Sequence, residues 1–109
     1  MLFRSQETLD AIRANGGDGL LLQGDVSHAT EAQALVDRLV ERTGRLDILF
    51  NNAGSPIERT PLVSCSLDLW SEIISVNLTS AFVVTQRAIP HLKASGNGSI
   101  INKIGRAHV

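Results

Sequence analysis

Hydrophobic and polar positions alternate in blocks that predict three helices and three strands, in the order helix, strand, helix, strand, helix, strand. The predicted helices have apolar residues three or four positions apart and cover residues 6–14, 29–43 and 66–94. The predicted strands are apolar runs too short for helices and cover residues 20–26, 46–50 and 99–102. Continuous apolar strands that alternate with helices predict a parallel sheet with right-handed crossovers, which is an α/β fold. Ser27 is expected to cap the second helix by accepting a backbone N–H.

The polar residues after the second strand form the clearest candidate for a ligand site. Asn51, Asn52, Ala53 and Gly54 follow the apolar run directly, and open parallel sheets bind ligands beyond the carboxyl ends of their strands. An asparagine amide offers both a donor and an acceptor. Ala53 and Gly54 let another group approach the backbone closely. The four residues fit a binding site, and they fit a tight strand-to-loop turn equally well.

Composition and charge narrow the classes of function. The 109 residues suit one small domain or a piece of a larger one, and a net charge of −1 with 4% aromatic residues gives no basis for a nucleic-acid partner. Cys65 is the only cysteine, which excludes an internal disulfide and a cysteine-rich metal site, and no metal-ligand spacing appears. No apolar stretch is expected to be long enough to span a bilayer, and residues 1–5 lack the apolar core of a secretory signal. We therefore expect a cytoplasmic protein with no membrane partner.

Three segments together resemble the short-chain dehydrogenase/reductase family. They are LLLQGDVS, GRLDILFNNAG and WSEIISVNLTSAFVVTQRAIPHLKASGNGSIIN, and the resemblance covers residues 6–102. Asp-Val, Asn-Asn-Ala-Gly and Val-Asn occur in the order and at the spacing that the family uses. The resemblance implies part of a Rossmann-like, doubly wound parallel sheet, with three strands and three helices. It also implies hydride transfer between NAD or NADP and an alcohol or carbonyl substrate, by an enzyme that assembles as a homodimer or homotetramer.

The resemblance implies cofactor contacts for five residues. Asp25 matches an aspartate that accepts a hydrogen bond from the adenine amino group, and Val26 matches a residue that packs at that ring. The segment that lines the cofactor ribose and supports the central sheet is matched by Asn52, Ala53 and Gly54. Without the resemblance, Asp25 is better explained as a carboxylate at the entry of a helix, where the helix dipole favours negative charge.

The resemblance also implies a catalytic role for Asn77. This residue falls in the apolar stripe of the third helix, where an unpaired buried amide would cost about 1–3 kcal/mol, so a hydrogen-bonded core asparagine would also explain it. In the family, the matching asparagine disturbs the helix and holds a water that links the catalytic lysine to solvent, which completes a Ser-Tyr-Lys-Asn tetrad. Asn51 is expected to tie adjacent strands together through its amide. The residues expected to be solvated, or to pack without a chemical role, are His28, Glu31, Asp37, Arg38, Glu41, Arg42, Cys65 and His91.

Several family motifs have no counterpart in the sequence. They are the glycine-rich phosphate loop, the second strand that selects NAD or NADP, the catalytic serine and the Tyr-x-x-x-Lys pair. Because the chain contains no tyrosine to act as general acid and base, we expect it to be inactive alone. We also expect the chain alone to show no measurable cofactor binding. In the family's strand order, 3-2-1-4-5, the present strands are the third, fourth and fifth. The strand at 20–26 is therefore expected to leave a gap or to pair in a non-native way.

Both ends of the chain are predicted to be non-native tails, at residues 1–5 and 103–109, around the central part of an NAD(P)-binding domain at 6–102. Residues 103–109 can be encoded AAG ATC GGA AGA GCA CAC GTC. Residues 2–5 can be encoded CTC TTC CGA TCT, whose reverse complement, AGATCGGAAGAG, lies within the first string. Both ends can thus be one DNA sequence read in opposite orientations, and it looks like a common sequencing adapter. The alternative is a natural short protein with unusual ends.

Two other classes of function stay open. One is a non-catalytic α/β nucleotide-binding or regulatory module that keeps the adenine contacts without the chemistry. The other is a small binding domain that uses only Asp25 and Asn52. A Gly-x-x-x-Gly-x-Gly motif upstream and Tyr-x-x-x-Lys downstream in a longer reading frame would favour the enzyme. Its expected parent is a 3-oxoacyl-carrier-protein reductase or a sugar or polyol dehydrogenase.

Overall fold

Helices and two short strands make up the regular structure of residues 2–103, which are the residues that the computed structural model describes. The helices are α1 (Leu2–Ala14), α2 (Ala29–Thr43), α3 (Leu67–Ile74) and α4 (Ser80–Ser95), and the strands are β1 (Ile48–Asn51) and β2 (Ser99–Asn102). A 3-10 turn at Leu62–Ser64 precedes α3, and a π-helical segment at Ser75–Thr79 joins α3 to α4. The predicted helix over 66–94 is therefore one continuous helix, Leu67–Ser95, with a local change in winding. Met1 and residues 104–109 of the predicted tails lie outside the described residues.

The described strands form a two-stranded parallel sheet. Ile48 is in register with Ser99, and Asn51 is in register with Asn102. The pairing continues beyond the strands, because the Ser99 N–H donates to the Asp47 carbonyl at 2.9 Å. The helix that connects the two strands crosses over the sheet, as parallel pairing requires. The carboxyl ends of both strands therefore meet at one edge, at Asn51 and Asn102.

The strand predicted over residues 20–26 is wrong, because these residues form no strand in the structure. A strand needs a neighbouring ladder, and β1 and β2 pair with each other rather than with this segment. The doubly wound sheet of three strands is thus reduced, in the described residues, to two strands and the helices around them. Of the two outcomes expected for this segment, a gap in the sheet is the one observed.

The core lies between α2, α4 and β1. Val36, Leu46, Ala88 and Leu92 are the buried residues of this cluster. An ion pair joins the same two helices, since Arg87 of α4 donates to both carboxylate oxygens of Asp37 in α2, at 2.9 and 2.8 Å. The core is small, and large apolar side chains such as Trp70 (52% exposed) and Phe82 (62% exposed) stay in contact with solvent. Exposed apolar surface of this kind favours association or aggregation.

The ends of α2 are set by its flanking residues. The prediction that Ser27 caps this helix is wrong, because the cap residue is His28 and no side chain accepts a hydrogen bond from the first turn. The Ser27 hydroxyl instead donates to Asp25 Oδ1 at 2.6 Å. Gly44 ends the helix in the left-handed conformation at φ 79°, with its N–H bonded to the Val40 carbonyl, a position that glycine occupies without steric cost.

By length and composition, the helix Leu67–Ser95 could cross a membrane, since its mean hydropathy reaches 1.3 over eighteen residues. This finding corrects the expectation that no apolar stretch is long enough. An apolar helix that packs against a sheet passes the same test. In this structure, the helix places Ala88 and Leu92 in the core and Arg87 in the ion pair with α2.

Candidate functional site

A cleft of about 620 Å³ opens where the carboxyl ends of the two strands meet α4 and the π-helical segment. Of the predicted site residues, Val26, Asn52, Ala53 and Asn77 line it. Residues more than fifty positions apart in the sequence are thus brought to one surface by the sheet and its crossover helix. Phe50, Phe82 and Ile89 give the cleft an apolar wall, and Asn51, Thr85 and Asn102 add polar groups to its lining.

Asn77 fixes the turn that follows β1. Its Oδ1 accepts a hydrogen bond from the Ser55 N–H at 2.9 Å, and its Nδ2 donates to the Ser55 carbonyl at 2.6 Å. The amide thus satisfies both backbone groups of one residue, as a paired strand would. This two-bond contact holds the segment Asn52–Gly54 against the helix.

Gly54 leaves room for this contact. A Cβ atom at this position would lie 2.8 Å from Asn77 Oδ1, closer than carbon and oxygen can pack. The glycine at the end of Asn-Asn-Ala-Gly therefore makes room for the Asn77 amide. Gly54 itself does not line the cleft, so its contact with a cofactor ribose stays a prediction.

The π-helical segment has a visible cause at Asn77. Its Nδ2 donates to the Ile73 carbonyl at 2.9 Å, and that carbonyl is the one that the backbone N–H of residue 77 would use in a regular α-helix. A side chain that competes for a helix carbonyl loosens the local ladder. The helix disturbance implied by the resemblance is thus present, while the catalytic role of Asn77 stays a prediction.

The expectation that Asn77 is buried is wrong, because the residue is exposed in this structure. The apolar stripe of the helix contains more positions than the small core covers, and Asn77 faces the open cleft. Its amide nevertheless makes three hydrogen bonds. The cost of an unpaired buried amide therefore does not arise.

Asn51 ties three elements together, which confirms its predicted structural role. Its Nδ2 donates to Asn102 Oδ1 at 2.9 Å, across the register pair of β1 and β2. The same nitrogen donates to Thr85 Oγ1 at 3.0 Å, which reaches α4. Sequence reasoning missed Thr85 and Asn102 as partners. Only the register of the strands, which brings Asn102 opposite Asn51, could have indicated one of them.

Asp25 lies outside the lining of the cleft, beside the entry to α2. Its Oδ1 accepts hydrogen bonds from the Ser27 N–H at 2.9 Å and from the Ser27 hydroxyl, and its Oδ2 lies 3.0 Å from His28 Nδ1. The hydrogen bonds from Ser27, followed by the charge of His28, hold the pKa of the Asp25 carboxyl below its ordinary value. Asp25 is therefore a charged carboxylate at a helix entry. A contact between this carboxylate and an adenine amino group stays a prediction.

In the described part of the chain, the other histidine and cysteine candidates show no arrangement typical of a catalytic or metal site. His28 is exposed, and Cys65 is half-buried with its thiol 3.6 Å from the Ser66 carbonyl. Within residues 2–103, no group of three or more His, Cys, Asp or Glu side chains is placed to hold a metal ion. Three charged residues expected to be solvated make specific contacts instead. Asp37 pairs with Arg87, Arg38 donates to the Gln23 carbonyl at 2.7 Å, and Glu31 accepts from the Asp25 N–H at 3.2 Å.

The sequence model of the family described as short chain dehydrogenase matches residues 2–106. The chain belongs to the short-chain dehydrogenase family. Among curated members, a Streptomyces violaceoruber protein named as a ketoacyl reductase of granaticin polyketide synthase is 41% identical over 101 residues. Glucose 1-dehydrogenase 2 of Bacillus subtilis is 36% identical over 100 residues. The 3-oxoacyl-acyl-carrier-protein reductase of Staphylococcus aureus is 31% identical over 99 residues.

Solved structures of short-chain dehydrogenases share this fold. A metagenomic short-chain oxidoreductase in complex with NADP superposes with a TM-score of 0.86 at 28% identity, over 94% of this chain and 46% of the other. The NADH-dependent reductase A1-R′, complexed with NAD, superposes with a TM-score of 0.80 at 35% identity, over 86% of this chain and 41% of the other. Both proteins are thus relatives that bind a nicotinamide dinucleotide.

The chain spans about two fifths of the length of the curated short-chain dehydrogenases that it matches. Matched segments cover 41% of the Streptomyces protein, 38% of the Bacillus enzyme and 40% of the Staphylococcus enzyme. The same segments cover 90% or more of this chain. The match extends into both predicted tails, and the division of the chain at 6–102 stays a prediction.

Proposed function

We propose that this chain supplies part of the cofactor site of an NAD(P)-dependent short-chain oxidoreductase, which transfers a hydride between the nicotinamide and an alcohol or carbonyl substrate. The supporting observation is that Val26, Asn52, Ala53 and Asn77 share one cleft at the carboxyl edge of a parallel sheet, where such sheets bind ligands. Family membership and relatives that bind NAD or NADP support the same assignment.

The residues present fit one side of such a cofactor. Ala53 has a single methyl group in the cleft lining, so a flat or extended ligand can lie close to the backbone. Asn52 adds an amide that can bond to ribose hydroxyls. Asp25 is a carboxylate, so its oxygens can accept a hydrogen bond from an adenine amino group. When bound, the cofactor would supply the hydride acceptor or donor, and these side chains would hold and orient it.

We propose 3-oxoacyl thioesters and sugars or polyols as the substrate classes of the enzyme, because the relatives include two ketoacyl reductases and a glucose dehydrogenase. The proposed enzyme is a cytoplasmic homodimer or homotetramer without nucleic-acid or membrane partners. The net charge of −1 of this chain gives no electrostatic attraction to polyanions. Packing of α4 on α2 supports a helix that lies against other parts of the protein.

A non-catalytic nucleotide-binding module is the second candidate. The sequence contains no tyrosine, so no residue of this chain can act as the family's general acid and base. The two candidates differ in what a longer reading frame would encode. A Gly-x-x-x-Gly-x-Gly motif before this segment and Tyr-x-x-x-Lys after it belong to the enzyme only.

The experiment that tests the enzyme is to sequence the flanking DNA, express the longer reading frame and follow oxidation of NADH and NADPH with 3-oxoacyl thioesters and sugar substrates. The Asn77→Ala variant is expected to lower kcat by at least about tenfold, as loss of a proton-relay group does. Asn97→Ala removes an exposed amide in the turn after α4 and serves as the matched control. Cofactor binding without turnover would favour the non-catalytic module. An expressed protein that binds neither NADH nor NADPH would contradict both candidates.

A further inference from the structure

Three side chains of α2 hold the segment that ends at Asp25, although no strand pairs with that segment in the described part of the chain. Arg38 Nη2 donates to the Gln23 carbonyl at 2.7 Å. Glu31 Oε1 accepts a hydrogen bond from the Asp25 N–H at 3.2 Å. Both residues were expected to lie on the solvated side of this helix.

Leu35 fills the position between these two contacts. A Cβ atom at Gly24 would lie 3.0 Å from both Leu35 Cγ and Leu35 Cδ2, so the leucine side chain rests directly on the glycine backbone. A larger residue at this position would push the segment away from the helix. Gly24 therefore lets the chain lie close to α2.

The three contacts follow one face of the helix in regular order. Residues 31, 35 and 38 are spaced by four and three positions, which places them on one side of an α-helix. They contact residues 25, 24 and 23 respectively, so the segment runs antiparallel to the helix with one contact for each residue. We call Glu31, Leu35 and Arg38 the α2 stripe. Val26, the next residue of the segment, lies in the lining of the cleft.

We propose that the α2 stripe is the positioning element for the adenine half of the cofactor site, because it fixes Gln23–Asp25 from the helix and leaves Val26 facing the cleft. Its residues do not touch the cofactor in this proposal and act through the segment that they hold. The link to adenine rests on the proposed function, whereas the positioning itself is a property of this chain without cofactor.

We therefore expect the segment Gln23–Asp25 to keep its position against α2 even though no strand of the described sheet pairs with it. Arg38 and Glu31 are exposed, so each contact is of the strength of a surface hydrogen bond to a charged group. Glu31 is shared, because its Oε2 lies 3.5 Å from His28 Nδ1. The titratable groups at this end of the helix that face the segment are thus Asp25, His28 and Glu31.

The test is amide hydrogen exchange of the full 109-residue chain, followed by NMR without cofactor. The Asp25 N–H is expected to exchange about three- to tenfold faster in Glu31→Ala, which removes the acceptor of an exposed charge-assisted hydrogen bond. Glu41→Ala makes the same truncation at an exposed position of the same helix and is expected to leave the Asp25 rate unchanged.

A second pair of variants tests the other end of the stripe. Arg38→Gln is expected to speed exchange across Gln23–Asp25, Arg38→Lys to restore most of the protection by returning a charged donor, and Arg42→Gln to have no effect. Exchange within α2 is measured in every sample and shows whether the helix itself persists.

Two results would overturn the inference. One is an Asp25 N–H that is unprotected in the unmodified chain. The other is equal changes in the test and control variants. Because no cofactor is present, these outcomes are distinct from failure of the proposed function, which a lack of NAD(P) binding by the longer protein would indicate.

Discussion

Replacing Gly54 by alanine tests the contact on which the geometry of the cleft depends. The added methyl carbon would lie 2.8 Å from Asn77 Oδ1, whereas carbon and oxygen atoms pack at about 3.3 Å or more even in weak C–H hydrogen bonds. The Asn77 amide or the turn must therefore move by several tenths of an ångström. Either movement strains the pair of hydrogen bonds, at 2.9 and 2.6 Å, that joins Asn77 to the backbone of Ser55.

The size of the effect follows from the number and exposure of those bonds. A hydrogen bond contributes about 0.5–1.5 kcal/mol net, and Asn77 is exposed, so each of the two bonds falls toward the lower end. Loss of both gives about 1–2 kcal/mol of local stability. This free energy corresponds to an exchange rate for the Ser55 N–H that rises by about five- to thirtyfold.

The assay is hydrogen exchange at the Ser55 N–H in a double-mutant cycle. Gly54→Ala, Asn77→Ala and the double variant are compared with the unmodified chain. Once Asn77 is truncated, the Oδ1 atom that meets the new methyl group is gone, so Gly54→Ala is expected to have little further effect. The cycle thus separates this contact from general effects of alanine in the turn.

Three results would refute the reasoning. The first is a Gly54→Ala variant whose Ser55 N–H exchanges at the unmodified rate, because the methyl group would then have found room. The second is an equal effect of Gly54→Ala with and without the Asn77 side chain, which would place the strain elsewhere. The third is a Ser55 N–H without protection in the unmodified chain, which would remove the hydrogen bond itself.

The other predictions concern charge and overall stability. Arg87→Gln should raise the pKa of the Asp37 carboxyl toward 3.8, its ordinary value, because the hydrogen bonds from Arg87 hold that pKa lower. The carboxyl carbon shift of Asp37 in an NMR titration measures this pKa. An unchanged pKa would contradict the pairing of Asp37 with Arg87. Since the folded-state pKa of Asp37 is depressed, this ion pair stabilises the fold above the ordinary pKa and is lost as the pH falls through the lowered value. Ser27→Ala should likewise raise the pKa of Asp25, since it removes the hydroxyl that contributes most to lowering it, and an unchanged titration would show that the backbone N–H suffices. The unmodified chain should unfold without a cooperative melt, because much apolar surface is exposed, and a sharp two-state transition by calorimetry would be incompatible with this expectation.

Local pattern predicted the helices well and the sheet less well. The second helix was predicted at 29–43 and occupies Ala29–Thr43, because its three-and-four spacing and Gly44 are both local signals. The second strand was predicted two residues early, since Leu46 is buried as expected but does not take part in the ladder. The failure at 20–26 has another origin. Apolar periodicity reports what a segment would bury, and it carries no information on whether a partner strand lies beside it.

The site divides in the same way. Four of the residues that the resemblance indicates line one cleft, namely Val26, Asn52, Ala53 and Asn77. Asp25 and Gly54 do not line it, and the cofactor or catalytic roles of all six stay predictions. The sequence could not indicate why residue 54 is glycine. Its contact is Asn77, which lies 23 positions away and was expected to be buried in the core rather than bonded to the turn. The α2 stripe was missed because Glu31 and Arg38, taken singly, resemble any solvated charged residues. Only the three-dimensional structure shows that residues 23–25 run antiparallel to α2, along the face that carries Glu31 and Arg38.

The most direct test of the central claim is a fluorescence titration with NADH and NADPH. The protein is a folded hybrid in which residues 6–102 replace the matching segment of the Staphylococcus aureus reductase. Ala53→Leu adds three carbons in the cleft lining, and Ala94→Leu adds the same atoms at an exposed position away from it. If the cleft holds the cofactor, Ala53→Leu raises Kd by about tenfold or more, equivalent to about 1.4 kcal/mol, and Ala94→Leu leaves it unchanged. Equal affinity in both variants and the unmodified hybrid would contradict the account.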